Sequence, residues 1–257
     1  REEQTRAKKA KKQARDNRLA TYTCPITSAL MLDPVMMPDG HTYEKKAMEA
    51  YLKTCGSTVK SPMTKKVMDG KTMIPNVALR NAIVHDIEAG DIDGELVDEW
   101  KAAHKTLKEE ADKLARLVAA AGKGDAEADK ELGLAYMNGW LGLEKSMEDA
   151  AKHFRRAADA GNVHATAAYG YMYISNLVTR TPYATREAIG AMYLGIAAGQ
   201  GCELACCIIG EAWAVGKYGY HTNTAEAKRW YMKSLSCTDK TADEPAIEHR
   251  RKFLETA

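Results

Sequence analysis

The sequence predicts a small α+β module followed by an all-α helical-repeat solenoid. Three observations carry that fold class. Five of the seven prolines (Pro25, Pro34, Pro38, Pro62 and Pro75) fall between residues 21 and 90, a density of turn-makers that implies short elements joined by loops. From Glu95 onward apolar residues recur at three- and four-residue spacing, the period of amphipathic helices. One frame of small and aromatic residues then returns three times in the second half. With 257 residues, 45% hydrophobic and 28% charged, the chain is long enough to bury two cores.

The first 20 residues form a basic arm. Eight Lys/Arg against Glu2, Glu3 and Asp16 give it +5, so the rest of the chain carries −3 of the net +2. The arm has no hydrophobic period and is expected as a solvated helix or as disordered chain. Lys8-Lys9-Ala10-Lys11-Lys12 has the composition of a nuclear-localisation or nucleic-acid segment. No aromatic residue precedes Tyr22 to stack on a base, so nucleic acid is not an expected partner.

Residues 21–90 form the α+β module. Val35-Met36-Met37 and His41-Thr42-Tyr43 flank Pro38-Asp39-Gly40, a tight hairpin in which glycine accepts positive φ. Thr42 is then expected to cap a helix over residues 44–54, with Ala47, Met48, Tyr51 and Leu52 on one face and Gly56 just past its end. A second helix spans 76–89 and is closed by Gly90. Residues 91–116 hold a short linker, around Gly90–Gly94, and most of a long helix beginning at Glu95. Leu96, Trp100, Ala103, Leu107, Ala111, Leu114 and Val118 form its stripe. Packing on the first repeat explains the stripe most simply, and a homodimer seam is the alternative.

Residues 117–257 carry the repeats. Gly133, Gly170 and Gly210 each sit in an Ala-x-x-x-apolar-Gly-x-x-aromatic frame: Ala128/Leu132/Tyr136, Ala165/Tyr169/Tyr173 and Ala205/Ile209/Trp213. The first and third copies align without a gap at an offset of 77, and the middle copy has three extra residues within 174–183. Ala120-Ala121/Gly124, Ala157-Ala158/Gly161 and Ala197-Ala198/Gly201 mark equivalent junctions. Small residues let helices approach closely, and a helix pair unable to bury its face alone stacks on the next. The third copy loses these marks at Ser234, Leu235 and Thr238, as a terminal cap would.

Several chemistries find no support. Cys24, Cys55 and His41 are the only Cys or His residues between Thr21 and Val84, whereas two zinc sites need about eight ligands. Cys202, Cys206 and Cys207 read as small core residues. Gly122-Lys123-Gly124 lacks phosphate-loop spacing. No nucleophilic triad or carboxylate pair stands out, so no cofactor is expected. No stretch is long and apolar enough to span a membrane. No secretory signal is visible in a chain that opens on Arg1 and reads as a fragment. Sparse, unpatterned cysteines suggest a reducing compartment, cytoplasmic or nuclear.

Residues 21–88 resemble the U-box domain of ubiquitin-protein ligases. The matching pieces occur in order: Cys24-Pro25-Ile26-Thr27, Asp33-Pro34-Val35, Asp39-Gly40-His41-Thr42-Tyr43-Glu44, Ser61-Pro62-Met63-Thr64 and Ile74-Pro75-Asn76-Val77-Ala78-Leu79. The resemblance implies a zinc-free RING-like fold that binds a ubiquitin-conjugating enzyme carrying ubiquitin and promotes direct transfer to a substrate lysine. It implies docking contacts at Ile26, Leu30 and Pro62, with Lys65 bridging enzyme and ubiquitin. Ser28 stands where some members place a large apolar residue, which leaves a non-catalytic interaction scaffold as the alternative. Residues 117–240 resemble Sel-1-like repeats, relatives of tetratricopeptide repeats, which implies recruitment of a protein substrate or adaptor.

Overall fold

The computed structural model describes residues 2–56, 58–178, 182–237 and 244–256. Part of the three-residue insertion expected within 174–183, and Thr238, lie outside the described residues. The chain divides into two compact units, Arg1–Lys108 and Glu109–Ala257.

The first unit opens with a 21-residue helix, α1 (Glu2–Tyr22), so of the two states expected for the basic arm the structure shows the helix. Strands β1 (Pro34–Met36) and β2 (Thr42–Glu44) pair antiparallel, with Val35 opposite Tyr43 and Met36 opposite Thr42. The Pro38-Asp39-Gly40 turn joins them, closed by Gly40 N–H donating to Met37 O at 2.9 Å, with Gly40 at φ +78. A two-residue strand, β3 (Ile74–Pro75), pairs on the other side of β1.

Helix α2 (Lys45–Thr54) starts one residue later than expected, and Thr42 does not cap it. Thr42 is a β2 residue whose hydroxyl accepts from Asn76 Nδ2 at 3.1 Å. Glu44 holds the cap position without a side-chain cap bond because its carboxylate is engaged elsewhere, accepting from the Leu32 and Asp33 amides at 2.7 and 3.1 Å. Gly56 lies just past the end of this helix, which the chain leaves through Cys55 in an extended conformation. Helix α3 (Val77–Glu88) is capped by Asn76, whose Oδ1 accepts from Leu79 N–H at 3.0 Å.

The core of this unit gathers Cys24, Leu30, Met31, Val35, Tyr43, Met48, Val59, Met68 and Ile83. It also draws in Tyr22 from the end of α1 and, from outside 21–90, Ile92 and the Val97 and Trp100 side chains of helix α4 (Glu95–Gly122). The Trp100 indole donates to Met31 O at 3.0 Å, and Tyr22 OH donates to Asp86 at 2.7 Å. Residues 90–94 are thus tied down rather than slack, with Ile92 buried and Asp91 and Asp93 ion-paired to Arg18 and Arg15. The stripe of α4 is divided accordingly: Leu96 and Trp100 serve this core, Leu114 and Leu117 pack with Ala121, Ala128 and Leu132, and Val118 is exposed.

The second unit stacks helix pairs: α5 (Ala126–Asn138) with α6 (Met147–Asp159), α7 (Val163–Ile174) with α8 (Tyr183–Gly199), and α9 (Glu203–Val215) with α10 (Thr224–Ser236). The repeat marks have physical counterparts. Gly124, Gly161 and Gly201 turn each junction at positive φ, donating to Ala121 O, Ala158 O and Ala198 O. A β-carbon on Gly133, Gly170 or Gly210 would lie 2.7–2.9 Å from Phe154, the Leu194 backbone or Tyr231 of the partner helix. The middle copy lacks a glycine where Gly139 and Gly216 end α5 and α9; Asn176, at φ +58, takes the left-handed position there. Cys202 and Cys206 are core residues, and burial pushes the Cys206 thiol up to about 12.

A further helix, α11 (Glu244–Thr256), follows the third pair. Arg250 enters the interior and donates to Glu203 Oε1 and Ser234 Oγ, both at 2.9 Å. Among the described residues no helix is long and apolar enough to cross a membrane.

Candidate functional site

Two loops of the first unit have the same construction. In the first, Thr23 bridges to Leu30, Cys24 N–H donates to Ala29 O at 2.8 Å, and Ser28 N–H returns to Cys24 O at 2.8 Å. In the second, Lys60 bridges to Val67, Ser61 N–H donates to Lys66 O at 2.8 Å, and Lys65 N–H returns to Ser61 O at 3.0 Å. Ser28 and Lys65 occupy the same left-handed conformation, at φ 60 and 61. The correspondence is also in the sequence: Cys24-Pro25-Ile26-Thr27 and Ser61-Pro62-Met63-Thr64 are one motif spaced 37 residues apart. Each loop is rooted in the same core, by Cys24 and Leu30 in one and by Val59 and Met68 in the other.

Hydrogen bonds hold each root. The Cys24 thiol accepts from Glu44 N–H at 3.2 Å, while the buried Ser61 hydroxyl accepts from Met63 and Thr64 N–H at 3.2 and 2.9 Å. Asp39 stands at the centre of a network below them, accepting from Tyr43 OH at 2.8 Å and from His41 N–H at 2.9 Å. Burial alone would raise the Asp39 carboxyl, but hydrogen bonds from Ser61, His41 and Tyr43 outweigh it and hold it below the usual carboxylate range. Tyr43 is pushed up to about 12, first by burial and then by the adjacent carboxylate. The network and the turn-closing amides brace both loops by hydrogen bonds.

The four residues expected as contacts fare differently. Ile26 stands at the tip of the first loop, 37% exposed. Leu30 is only 5% exposed and packs in the core beneath the loop, where its backbone bridges to Thr23. Pro62 is half-buried at the root of the second loop. Lys65 is exposed and its ammonium donates to Pro62 O at 2.8 Å, which brings those two together. Sequence reasoning missed Met63, which is 50% exposed and holds in the second loop the place of Ile26 in the first. The duplicated motif was the available signal.

A U-box domain model matches residues 20–89. Among curated proteins, the chain is similar to U-box domain-containing protein 43 of Arabidopsis thaliana, 30% identical over 96 residues, covering 36% of this chain and 10% of that protein. It is also similar to human WD repeat, SAM and U-box domain-containing protein 1, 45% identical over 62 residues, covering 24% of this chain and 13% of that protein. The chain thus spans roughly a tenth of the length of these two relatives. Among solved structures, a Sel1 repeat protein from Oxalobacter formigenes is 28% identical with a TM-score of 0.41, covering 54% of this chain and 97% of that one. The domain match falls on the stretch that builds the paired loops and their shared core: residues 20–89 of this chain match the U-box domain.

Proposed function

We propose that this chain is a ubiquitin-protein ligase that forms no covalent intermediate with ubiquitin. The observation that carries the reading is the pair of like-built loops, each raising one apolar side chain, Ile26 or Met63, from a shared rigid core within a U-box domain. Such a surface suits the apolar docking face of a ubiquitin-conjugating enzyme, with Pro62 completing the second loop. Exposed apolar anchors on a stiff frame lose little entropy on binding. Lys65 is exposed, so its bond to Pro62 O exchanges readily with water or with a carbonyl of a bound partner.

Chemistry of this kind is positioning. The acceptor lysine amine attacks the thioester carbonyl, the isopeptide bond forms, and the thiolate of the conjugating enzyme leaves. Holding those groups in register supplies the acceleration. The helix pairs of the second unit serve to recruit a protein substrate or adaptor, a role supported by exposed Tyr171, Leu204 and Val215 on α7 and α9.

Ubiquitination assays with a panel of conjugating enzymes test this reading. Wild type is expected to be active with at least one enzyme, and Ile26→Ala and Pro62→Ala to lower that activity about tenfold or more, the scale of an interface anchor. No activity with any enzyme would leave the scaffold alternative standing. Full activity in both variants would place the contact elsewhere.

A further inference from the structure

The charges of α1 are sorted by face. At about 100° per residue, Lys8, Lys11, Lys12, Arg15 and Arg18 fall within an arc of about 120°. No acidic residue of the helix shares that arc; Glu2, Glu3 and Asp16 lie on the remaining circumference with Arg6 and Lys9. A merely solvated helix gains by interleaving signs at three- and four-residue spacing; Glu2 and Glu3 stand so to Arg6 and Asp16 to Lys12, but no acidic residue of the helix stands so to Lys8, Lys11, Arg15 or Arg18.

Part of the stripe is neutralised. Arg15 pairs with Asp93 at 2.5 Å, and Arg18 pairs with Asp91 and, at 3.4 Å, with Asp86. Lys8, Lys11 and Lys12 line a shallow cleft together with Arg15, Gly90, Asp91 and Asp93. Along the helix the stripe continues from the paired Arg15 for about two more turns, to Lys8.

The helix is also fixed in direction. Its last turn is locked to the first docking loop by Thr23 N–H donating to Leu19 O and by Met31 N–H donating to Tyr22 O, both at 3.0 Å. Along the axis, Lys12 stands about 15 Å and Lys8 about 21 Å from Tyr22. A folded domain is about 30 Å across, so a protein seated on Ile26 is large enough to extend alongside the arm.

We infer that the Lys8/Lys11/Lys12 stripe is an electrostatic docking rail for an acidic face of the conjugating enzyme bound at the Ile26 and Met63 loops. The inference rests on the ligase reading. A lipid surface is disfavoured because α1 has no large apolar residue before Leu19 with which to insert. Nucleic acid is disfavoured by the absence of any aromatic residue before Tyr22. A rail of exposed charge acts on encounter, so it raises the association rate at low ionic strength and leaves dissociation nearly unchanged.

The test is the association rate of the full chain with an active conjugating enzyme, at low and at physiological ionic strength. Two double variants carry the same charge change on different faces: Lys8→Glu with Lys12→Glu, and Arg6→Glu with Lys9→Glu. The first is expected to slow association about tenfold at low salt, with the difference fading at physiological salt; the second less than about twofold. Equal slowing by both, or slowing by neither, overturns the inference. So does a defect of the first pair confined to binding of duplex RNA or of phosphatidylserine vesicles. If Ile26→Ala abolishes binding while both double variants match wild type, the rail fails and the ligase reading stands. If wild type binds no enzyme, both fail.

Discussion

Replacing Arg250 by alanine is expected to destabilise the second unit by about 3–5 kcal/mol, the cost of removing one member of a buried ion pair. Arg250 and Glu203 are each no more than 1% exposed. The guanidinium donates to Glu203 and to the Ser234 hydroxyl, so the single substitution removes a cation from beside a buried carboxylate and one of two bonds from Ser234, which also donates to Tyr231 O at 2.8 Å. The apolar double variant Arg250→Met with Glu203→Leu is expected to recover most of the loss, because it removes both charges. Urea unfolding followed by tryptophan fluorescence reads the difference, since three of the four tryptophans lie beyond residue 108. A cost below about 1 kcal/mol for Arg250→Ala would mean that water reaches the pair. The result bears on function because α11 follows the stack of helix pairs proposed to recruit a substrate or adaptor.

Asp39→Ala is expected to cost the first unit about 2–4 kcal/mol. It removes the charged acceptor of the hydrogen bonds from Tyr43 OH and His41 N–H and leaves the Tyr43 hydroxyl buried without that partner. The pH dependence follows from the direction of the shift. Asp39 is held below its ordinary value, so its contribution is complete above about pH 4 and is lost as pH falls through the lower folded value. Tyr43 is raised to about 12, so its contribution is complete below its ordinary value of about 10 and is lost as pH rises toward 12. Asp39→Asn should therefore flatten the acid limb of the stability profile, and Tyr43→Phe should flatten the alkaline limb. Chemical denaturation of the first unit across pH checks both, and acid and alkaline limbs unchanged in the two variants would remove the network from the account.

What could be read from the residues tracks the range of the forces involved. Local signals were legible: Pro38-Asp39-Gly40 as a turn, Asn76 as a helix start, and the Ala-Ala/Gly junctions, whose spacing alone implied three equivalent bends. Thr42 was misread because a Thr followed by helix formers looks like a cap, and only the fold brings Asn76 to its hydroxyl and the Leu32 and Asp33 amides to Glu44. Leu30 and Ile26 are alike in sequence, and only the fold shows that Leu30 packs in the core while Ile26 faces water. Met63 was recoverable, since its loop repeats the one around Ile26. Arg250 was not, because nothing local distinguishes a buried arginine 47 residues from its carboxylate among the other charges of that helix.

The most direct test of the central claim is discharge of ubiquitin from a charged conjugating enzyme onto free lysine, with and without the full chain, in the presence of a chelator. A zinc-free positioning ligase should accelerate discharge to the same extent whether or not metal is sequestered. Acceleration should fall at least about tenfold in the Ile26→Ala, Met63→Ala double variant. Failure to accelerate discharge from any enzyme of a broad panel, or acceleration that the chelator abolishes, would contradict it.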